Sequence, residues 1–465
     1  MSDIPLTAAW IAEAMGGALV AGEGGREFTG VSIDTRTLAA GELFVAIRGE
    51  RFDGTDFADA AIDAGAAGVV VPRRKSGRLN PAAVVIEVDD TTLALQALGN
   101  RIRRASGAQV VAITGSSGKT TTKEATAEFL AGKYRVVRNR GNFNNHIGLP
   151  LSLVELRTKP DIAVVELGMN HAGEIRTLVA VADPDVRVWT NVGEAHVGFF
   201  GSIDAIADAK AELLERASPE TVLVANADDD RITARTRTFV GRVVTFGVER
   251  DADVRATAIA DRGIDGTTAR VRTRRGSVDV TTPLVGRGNL ANVLAATAVA
   301  LEYDVPLATI AAKAAQLRPA SHRGEVIRLP SGIVLIDDSY NANPTATRRA
   351  LDVLRATAAT RRIAVLGEML ELGDRAADLH ASVGRAAADS RVDVLFTVGG
   401  APAAAMADAA AASGVDRDRV RHFANSDEAA KVLAGLVQPG DVVLVKGSRG
   451  IRTDRVVERL RAERV

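Results

Sequence analysis

From Ala108 onwards, short apolar runs that stop at a glycine or a polar residue alternate with stretches of helical spacing. AQVVAITG, DIAVVELG, VRVWTNVG, TVLVAN and VVTFGV come first, with helical segments such as KTTTKEATAEFLAGK between several of them. Around 318–325 the alternation restarts with GIVLIDDSY, RRIAVLGEM, VDVLFTVGG and DVVLVKGS, separated by TATRRALDVLRATA, ADLHASVGRAAA and DEAAKVLAGLV. Strands that alternate with helices imply a parallel sheet, hence the α/β class. In such sheets a ligand lies beyond the carboxyl ends of the strands. The polar clusters Gly115–Thr120, Glu166–His171, Glu194–His196, Asp337–Asn343 and Gly367–Glu371 fall at those ends.

Rhythm also sets the expected boundaries. Residues 1–107 mix short β-like runs (GELFVAI, AAVVIEV) with the helical DFADAAIDAGAAG, a mixed α/β domain. Residues 108–317 form a central parallel-sheet domain, with a more β-looking stretch from VRATAIADRG to VDVTTPL before the helical NLANVLAATAVALEY. Residues 318–465 form a second nucleotide-fold-like, Rossmann-like α/β domain. A chain of 465 residues is too long for one core, which agrees with three domains.

Charge excludes some partners. Lys plus Arg equals Asp plus Glu, 58 against 58, so no global field recruits nucleic acid or an anionic membrane, and any anion needs a local site. The absence of cysteine removes disulfides, thiolate nucleophiles and cysteine-based zinc sites. The amino terminus has no basic segment before its apolar residues and suits a short amphipathic helix rather than a signal peptide. No uncharged apolar run reaches the roughly 18 residues of a membrane span, so no membrane insertion and a cytoplasmic location are expected.

ITGSSGKTTTK, residues 113–123, ends like a phosphate-binding loop. The common GxxxxGK[ST] form needs a glycine where Ile113 stands, so this loop is shorter. A strand, a glycine turn and a helix opening Lys-Thr set backbone N–H groups and a helix-dipole terminus against an anion. Lys119 adds charge for outer phosphates, and the Thr120 hydroxyl can join a magnesium shell. A kinase, a switch GTPase, a motor or a ligase would all use such a loop. The NKxD base-reading motif of a guanine-nucleotide switch is absent.

The next strand ends supply further candidates. Glu166 closes DIAVVELG, with Asn170 and His171 just beyond. A carboxylate there can hold magnesium, which prefers oxygen ligands, or cap the following helix. NVGEAH delivers His196, which by itself reads as a polar loop residue. Lys210 follows fourteen positions later, and its spacing alone reads as a solvated helix lysine.

With TGSSGKTTT, ELGMNHAGEI, NVGEAH and AKAEL in this order, the chain resembles the Mur ligase family, ATP-dependent amide-forming enzymes of peptidoglycan precursor synthesis. SIDTR (32–36), GELFVAIRG (41–49) and FDGTDF (52–57) look like the family's UDP-sugar domain. GNFNNHIGLPLSL (141–153), DDSYNANP (337–344), LGEMLELG (366–373) and VKGSRG (445–450) look like the member that adds D-alanyl-D-alanine to UDP-N-acetylmuramoyl-tripeptide.

The resemblance implies ATP, two magnesium ions and a set of residues. Gly115, Ser116, Ser117, Gly118, Lys119, Thr120 and Thr121 would hold phosphates; Thr120 and Glu166 one metal; His196 and a carbamylated Lys210 the second. Asn289 and Asn292 match the pair that meets adenine, although Gly288 stands where the family usually has histidine, and Asn289 could instead cap its helix. Likewise Thr55 in DGTDF stands where the family often has histidine. Arg323 matches the arginine that reaches the γ-phosphate, and Asp338 an acid near the nucleotide. Lys119, Lys210, His196 and Arg323 are thereby the catalytic set. Ser32, Asp34, Thr35, Arg36, Asn142, Asn144, Asn145, Asn170, His171, Tyr340 and Asn343 are expected to meet the UDP-muramoyl tripeptide or D-alanyl-D-alanine. EMLEL could hold the dipeptide or simply pack. Lys446 and Arg449 receive no role. A monomer is expected. A sister ligase adding lysine or diaminopimelate would carry a DNPR-type loop, whereas 373–380 reads GDRAADLH. A folylpolyglutamate synthase has no place for the SIDTR-containing domain, and a non-catalytic nucleotide-binding module would tolerate loss of Glu166, His196 and Lys210.

Overall fold

The computed structural model describes residues 3–49, 51–76, 83–139 and 141–463. The α/β class expected from the alternation is what forms. By contacts the chain packs as two compact units. The first takes Met1–Ile113, Lys133–Arg187 and Glu212–Val222, and the second Thr114–Gly132, Val188–Ala211 and Leu223–Val465. No helix among the described residues is long and apolar enough to cross a membrane.

In the first unit, a five-stranded sheet runs in the order Ala18–Ala21, Val84–Val88, Gly68–Pro72, Leu43–Val45, Val31–Ser32. Its pairings are parallel except the first. Phe44, Ala46, Val69, Val71 and Val85 pack with Ala58 and Ala61 of the helix Ala58–Asp63. The helix Thr91–Ser106 starts because the Asp90 carboxylate accepts the N–H groups of Thr92 and Leu93, and it stops at left-handed Gly107. Leu95, Leu98 and Ile102, spaced for one helix face, are fully buried. Beyond it, Gln109–Thr114 pairs in parallel with Ile162–Glu166, and that strand with Val136–Arg138. The alternation of apolar residue types is lost here: Ile162–Glu166 is buried at every position, as strands covered on both faces are.

The second unit opens with the phosphate-loop helix Lys119–Leu130. The β-looking stretch forms an antiparallel meander of Val254–Asp261, Thr267–Thr273 and Gly276–Thr282, joined in parallel by Arg242–Gly247. The last segment builds a six-stranded sheet, ordered Glu325–Arg328, Val334–Asp338, Asp441–Lys446, Arg361–Gly367, Val394–Val398, Val420–Phe423. Only the edge strand Glu325–Arg328 is antiparallel. Leu335, Ile363, Val365, Phe396, Val443 and Val445 bury one face against Leu433, Val456 and Leu460. Register sets Asp338 opposite Lys446 at the carboxyl end, where a parallel sheet presents its ligand-facing residues.

Candidate active site

The short loop closes on two glycines for steric reasons. Gly118 has φ +81°, and a Cβ there would lie 2.2 Å from Asn292 Oδ1. Gly115 has φ +150°, and a Cβ would meet Thr190 Oγ1 at 2.0 Å. Neither position accepts a side chain without moving a neighbour. The loop is clamped by a residue not singled out in the sequence, Asn191 of NVGEAH, which is 7% exposed. Its Oδ1 accepts the Ser117 N–H at 3.0 Å, its Nδ2 donates to Ser117 O at 2.9 Å, and its backbone carbonyl accepts the Ser116 N–H at 3.0 Å. Removing that side chain would leave the Ser117 N–H without this acceptor, while Ser117 O keeps the Thr190 hydroxyl at 2.8 Å, a loss of about 1 kcal/mol. The Ser116 hydroxyl adds a second tie, accepting from Gly193 N–H at 2.9 Å.

The helix Lys119–Leu130 begins at left-handed Gly118 with no side-chain cap, so its first turn faces outward as a positive dipole end. Lys119 folds back over the loop and donates from Nζ to Gly115 O at 2.9 Å. Thr120, 9% exposed, follows at the helix start. Asn292 packs on Gly118 and donates to Asn289 Oδ1 at 3.1 Å, while Asn289 Nδ2 donates to Val285 O at 3.0 Å. Asn289 thus also ties down the start of its helix, Gly286–Glu302.

Lys210 reverses its spacing-based reading. It lies on the helix Ile203–Ala211 and is 2% exposed, not solvated. Burial pushes its ammonium well below the ordinary lysine range, and the nearby Lys119 charge pushes it the same way. A lysine so placed gives up its proton more readily than an exposed one. His196 sits at φ +63°, and its Nδ1 meets Glu371 Oε2 at 2.5 Å. The His196 ring holds the Glu371 carboxyl below the usual carboxylate range.

Helix Pro344–Ala356 is aimed by three contacts. The Asn343 side-chain Oδ1 caps it by accepting the Ala346 N–H at 2.9 Å. Thr345 donates its hydroxyl to Glu194, and Arg348 donates to the same carboxylate at 2.7 Å. Arg349, next along, reaches the phosphate loop with Nη1 3.4 Å from Ser117 Oγ. Its stem passes Gly288, where a Cβ would lie 3.2 Å from Arg349 Cδ. Glycine at 288 thus leaves room for this arginine. Arg323 lies over the Tyr340 ring, 4.1 Å from its centroid, with Arg449 at 5.5 Å. Lys446, given no role beforehand, donates to Asp338 Oδ2 at 2.6 Å and to Asn341 O at 3.0 Å. Burial pushes the Asp338 carboxyl up, against the pull of Lys446.

The EMLEL segment is in part a packing element. Met369 and Leu372 are 2% exposed, while Leu370 is 40% exposed and Glu371 turns to His196.

Family models match the chain in three consecutive stretches. The Mur ligase family catalytic domain matches 27–116, the Mur ligase middle domain 113–300, and the Mur ligase glutamate ligase domain 322–449. The UDP-N-acetylmuramoyl-tripeptide–D-alanyl-D-alanine ligase of Escherichia coli (strain K12) is 38% identical, over 92% of this chain and 93% of that protein. The chain belongs to the Mur ligase family. Solved structures agree over its whole length. The MurF crystal structure from Acinetobacter baumannii has TM-score 0.89 at 32% identity, covering 99% of this chain and 100% of that one. The MurF ligase from Thermotoga maritima in complex with ADP has TM-score 0.81 at 28% identity, covering 93% and 97%. The chain therefore has the three-domain α/β architecture of a Mur ligase, an ATP-dependent ligase fold.

Other predicted residues of this Mur ligase lie in the first unit. Glu166 is 3% exposed and stands opposite Ile113, the residue that leads into the phosphate loop. Asn144 Nδ2 donates to Glu166 Oε1 at 2.8 Å, and Asn139 Oδ1 accepts the Glu166 N–H at 3.1 Å. Glu166 does not cap the next helix, Glu174–Ala182; Glu212 takes the Gly173 and Arg176 N–H groups at its start at 2.7 and 3.0 Å, and Glu174 accepts those of Asn170 and His171 in the preceding turn at 2.6 and 3.1 Å. Asn145 is spent on its own turn, accepting from Ile147 and Gly148 N–H, and Asn142 O accepts the Asn144 N–H. In SIDTR the Asp34 carboxylate grips Arg36 through Nε and Nη2 at 2.9 and 2.6 Å, which holds its carboxyl at about 2. The Ser32 hydroxyl donates to Asp34 O, and Thr35 lies in the turn between them.

The donor set fits the group the family uses. Among the described residues no three His, Cys, Asp or Glu side chains gather as a protein-only metal cage. Magnesium needs none, since it keeps waters and substrate phosphates and takes one or two hard protein oxygens. The Thr120 hydroxyl and Glu166 carboxylate are such oxygens.

Proposed function

We propose that this chain joins D-alanyl-D-alanine to UDP-N-acetylmuramoyl-tripeptide with cleavage of ATP to ADP and phosphate, in peptidoglycan precursor synthesis. The observation that carries the reading is the clamped phosphate loop with Lys119 near the buried Lys210, in a chain similar along its length to ligases named for that reaction.

The chemistry must bring two anions together. A tripeptide carboxylate is a poor electrophile because its leaving group is oxide. It attacks the γ-phosphorus of ATP, the bond to the β,γ-bridging oxygen breaks, and ADP leaves. The neutral amine of D-alanyl-D-alanine then adds to the acyl phosphate carbonyl, and phosphate departs with the electron pair of its C–O bond. The amine proton is lost to solvent or a base. Lys119 and Arg323 supply positive charge for the first step, and the Gly115–Thr121 loop orients the phosphates. Thr120 and Glu166 would hold magnesium, which would supply charge to screen the outer phosphates. His196 and a carbamylated Lys210 hold the second ion; carbamylation needs the neutral amine that burial favours.

Asn289 and Asn292 serve the adenine side, and Asp338, held by Lys446, serves the nucleotide near Arg323. Tyr340 and Asn343 serve the dipeptide. Ser32, Asp34, Thr35 and Arg36 serve the UDP-sugar, with Asn142, Asn144, Asn145, Asn170 and His171 toward the muramoyl peptide. The enzyme works as a monomer in the cytoplasm, in three domains divided near 107 and 317.

Hydroxylamine trapping tests the intermediate. ATP, magnesium and UDP-muramoyl tripeptide without D-alanyl-D-alanine yield the tripeptide hydroxamate in amounts that grow with enzyme. Nucleotide consumption with no hydroxamate would remove the acyl phosphate from the pathway.

A further inference from the structure

The loop carrying His196 and the EMLEL loop are locked together by more than one contact. His196 Nδ1 and Glu371 Oε2 are 2.5 Å apart. The Gly198 N–H donates to Glu371 O at 2.9 Å. A Cβ on Gly198 would fall 2.5 Å from Gly373 N, so the two backbones touch. Both partners hold left-handed backbone, φ +63° at His196 and +65° at Glu371. Left-handed backbone is disfavoured for residues with a Cβ. Such strain persists only where surrounding contacts over-determine it. Glu371 is in turn held by a fixed loop: Met369 N–H donates to His380 Nε2 at 2.8 Å, and Leu370 N–H to Ser448 Oγ at 2.9 Å.

We infer that Glu371 is a positioning residue for His196, holding the imidazole through Nδ1 so that Nε2 is the nitrogen offered to a ligand. A carboxylate oxygen facing Nδ1 is an acceptor, so this contact favours the tautomer with hydrogen on Nδ1 and the lone pair on Nε2. A carboxylate behind a histidine fixes tautomer and ring orientation and raises the basicity of the opposite nitrogen. Because Glu371 belongs to the EMLEL loop, His196 is oriented only while that loop is seated. Sequence offered no signal for this, since the two residues are 175 positions apart.

The inference rests on the reading of His196 as a metal ligand, and the test separates the two. Long-range 1H–15N correlation of the metal-free protein, with His196 assigned through H196Q, reports its tautomer. Wild type and E371Q, whose amide oxygen still accepts, show hydrogen on Nδ1. E371A moves it toward Nε2, with a melting temperature that shows the fold intact. Mn2+ titration in the presence of ADP, followed by electron paramagnetic resonance, gives the second readout: E371A weakens Mn2+ by about 10- to 100-fold. An unchanged tautomer in E371A overturns the inference. So does unchanged Mn2+ affinity in E371A when H196A weakens it. Unchanged affinity in H196A overturns instead the metal role of His196.

Discussion

Lys119→Ala loses ligation, with kcat down by at least about 10²–10³-fold, the scale of removing one preorganised charge from a transition state. Its melting temperature stays near that of wild type, since Lys119 is half-buried and its bond to Gly115 O adds little to a loop fixed by other groups. The loop is held instead by Asn191, Thr190 and the two glycines. The effect therefore falls on phosphate charge and not on loop shape. Steady-state phosphate release with a thermal melt checks both halves. Retained turnover would show that the loop does not serve the triphosphate.

Lys210 gives the second large effect, and its sign is unusual for a buried residue. Lys210→Ala loses ligation, on the order of 10²-fold or more, if the amine carries the carboxylate-like carbamate that completes a charged site. Added short carboxylates such as formate or acetate restore part of that activity. Full activity without rescue would remove the carbamate. Stability moves the other way. Burial lowers the folded pKa of this amine below its unfolded value, so between the two unfolding takes up a proton and stability rises with pH. That rise begins at the depressed folded pKa and ends near the ordinary lysine value of 10.5. Lys210→Met, similar in volume and without an ammonium to desolvate, melts at or above wild type at pH 7 in carbon dioxide-free buffer. Its stability also varies less with pH up to that value. A lower melting temperature for the methionine variant would show that burial does not disfavour the Lys210 ammonium.

What could be read in advance follows from the range of the interactions involved. The phosphate loop and its helix were legible because strand, glycine turn and Lys-Thr lie within a dozen residues and each constrains the next. The parallel sheet of 334–446 was legible because strands buried on both faces read as continuous apolar runs. The Asn191 clamp was not, because it joins residues 74 apart, and an asparagine at a strand end has no local pattern. The signal was present all the same, in the polar residue that opens NVGEAH. Lys210 misled because spacing reports a helix face and not what covers it; burial came from the fold around it. Asn289 and Asn343 show a further limit. Their family positions are evident, yet each also ties down the start of its own helix, so a motif match alone did not say how the amide is used. The contact between Arg349 and Ser117 was invisible because it spans 232 residues and depends on the missing side chain at Gly288.

At the centre is a mixed anhydride between a peptide carboxyl and phosphate, resolved by one particular amine. Phosphate release is measured with ATP, magnesium and UDP-muramoyl tripeptide, and D-alanyl-D-alanine, diaminopimelate or glutamate is supplied in turn as the amine. The account predicts one phosphate and one UDP-muramoyl pentapeptide per ATP with D-alanyl-D-alanine, and neither above background with the other two. No nucleotide consumed in the presence of both peptide partners, or equal turnover with diaminopimelate on a UDP-muramoyl dipeptide, would contradict it.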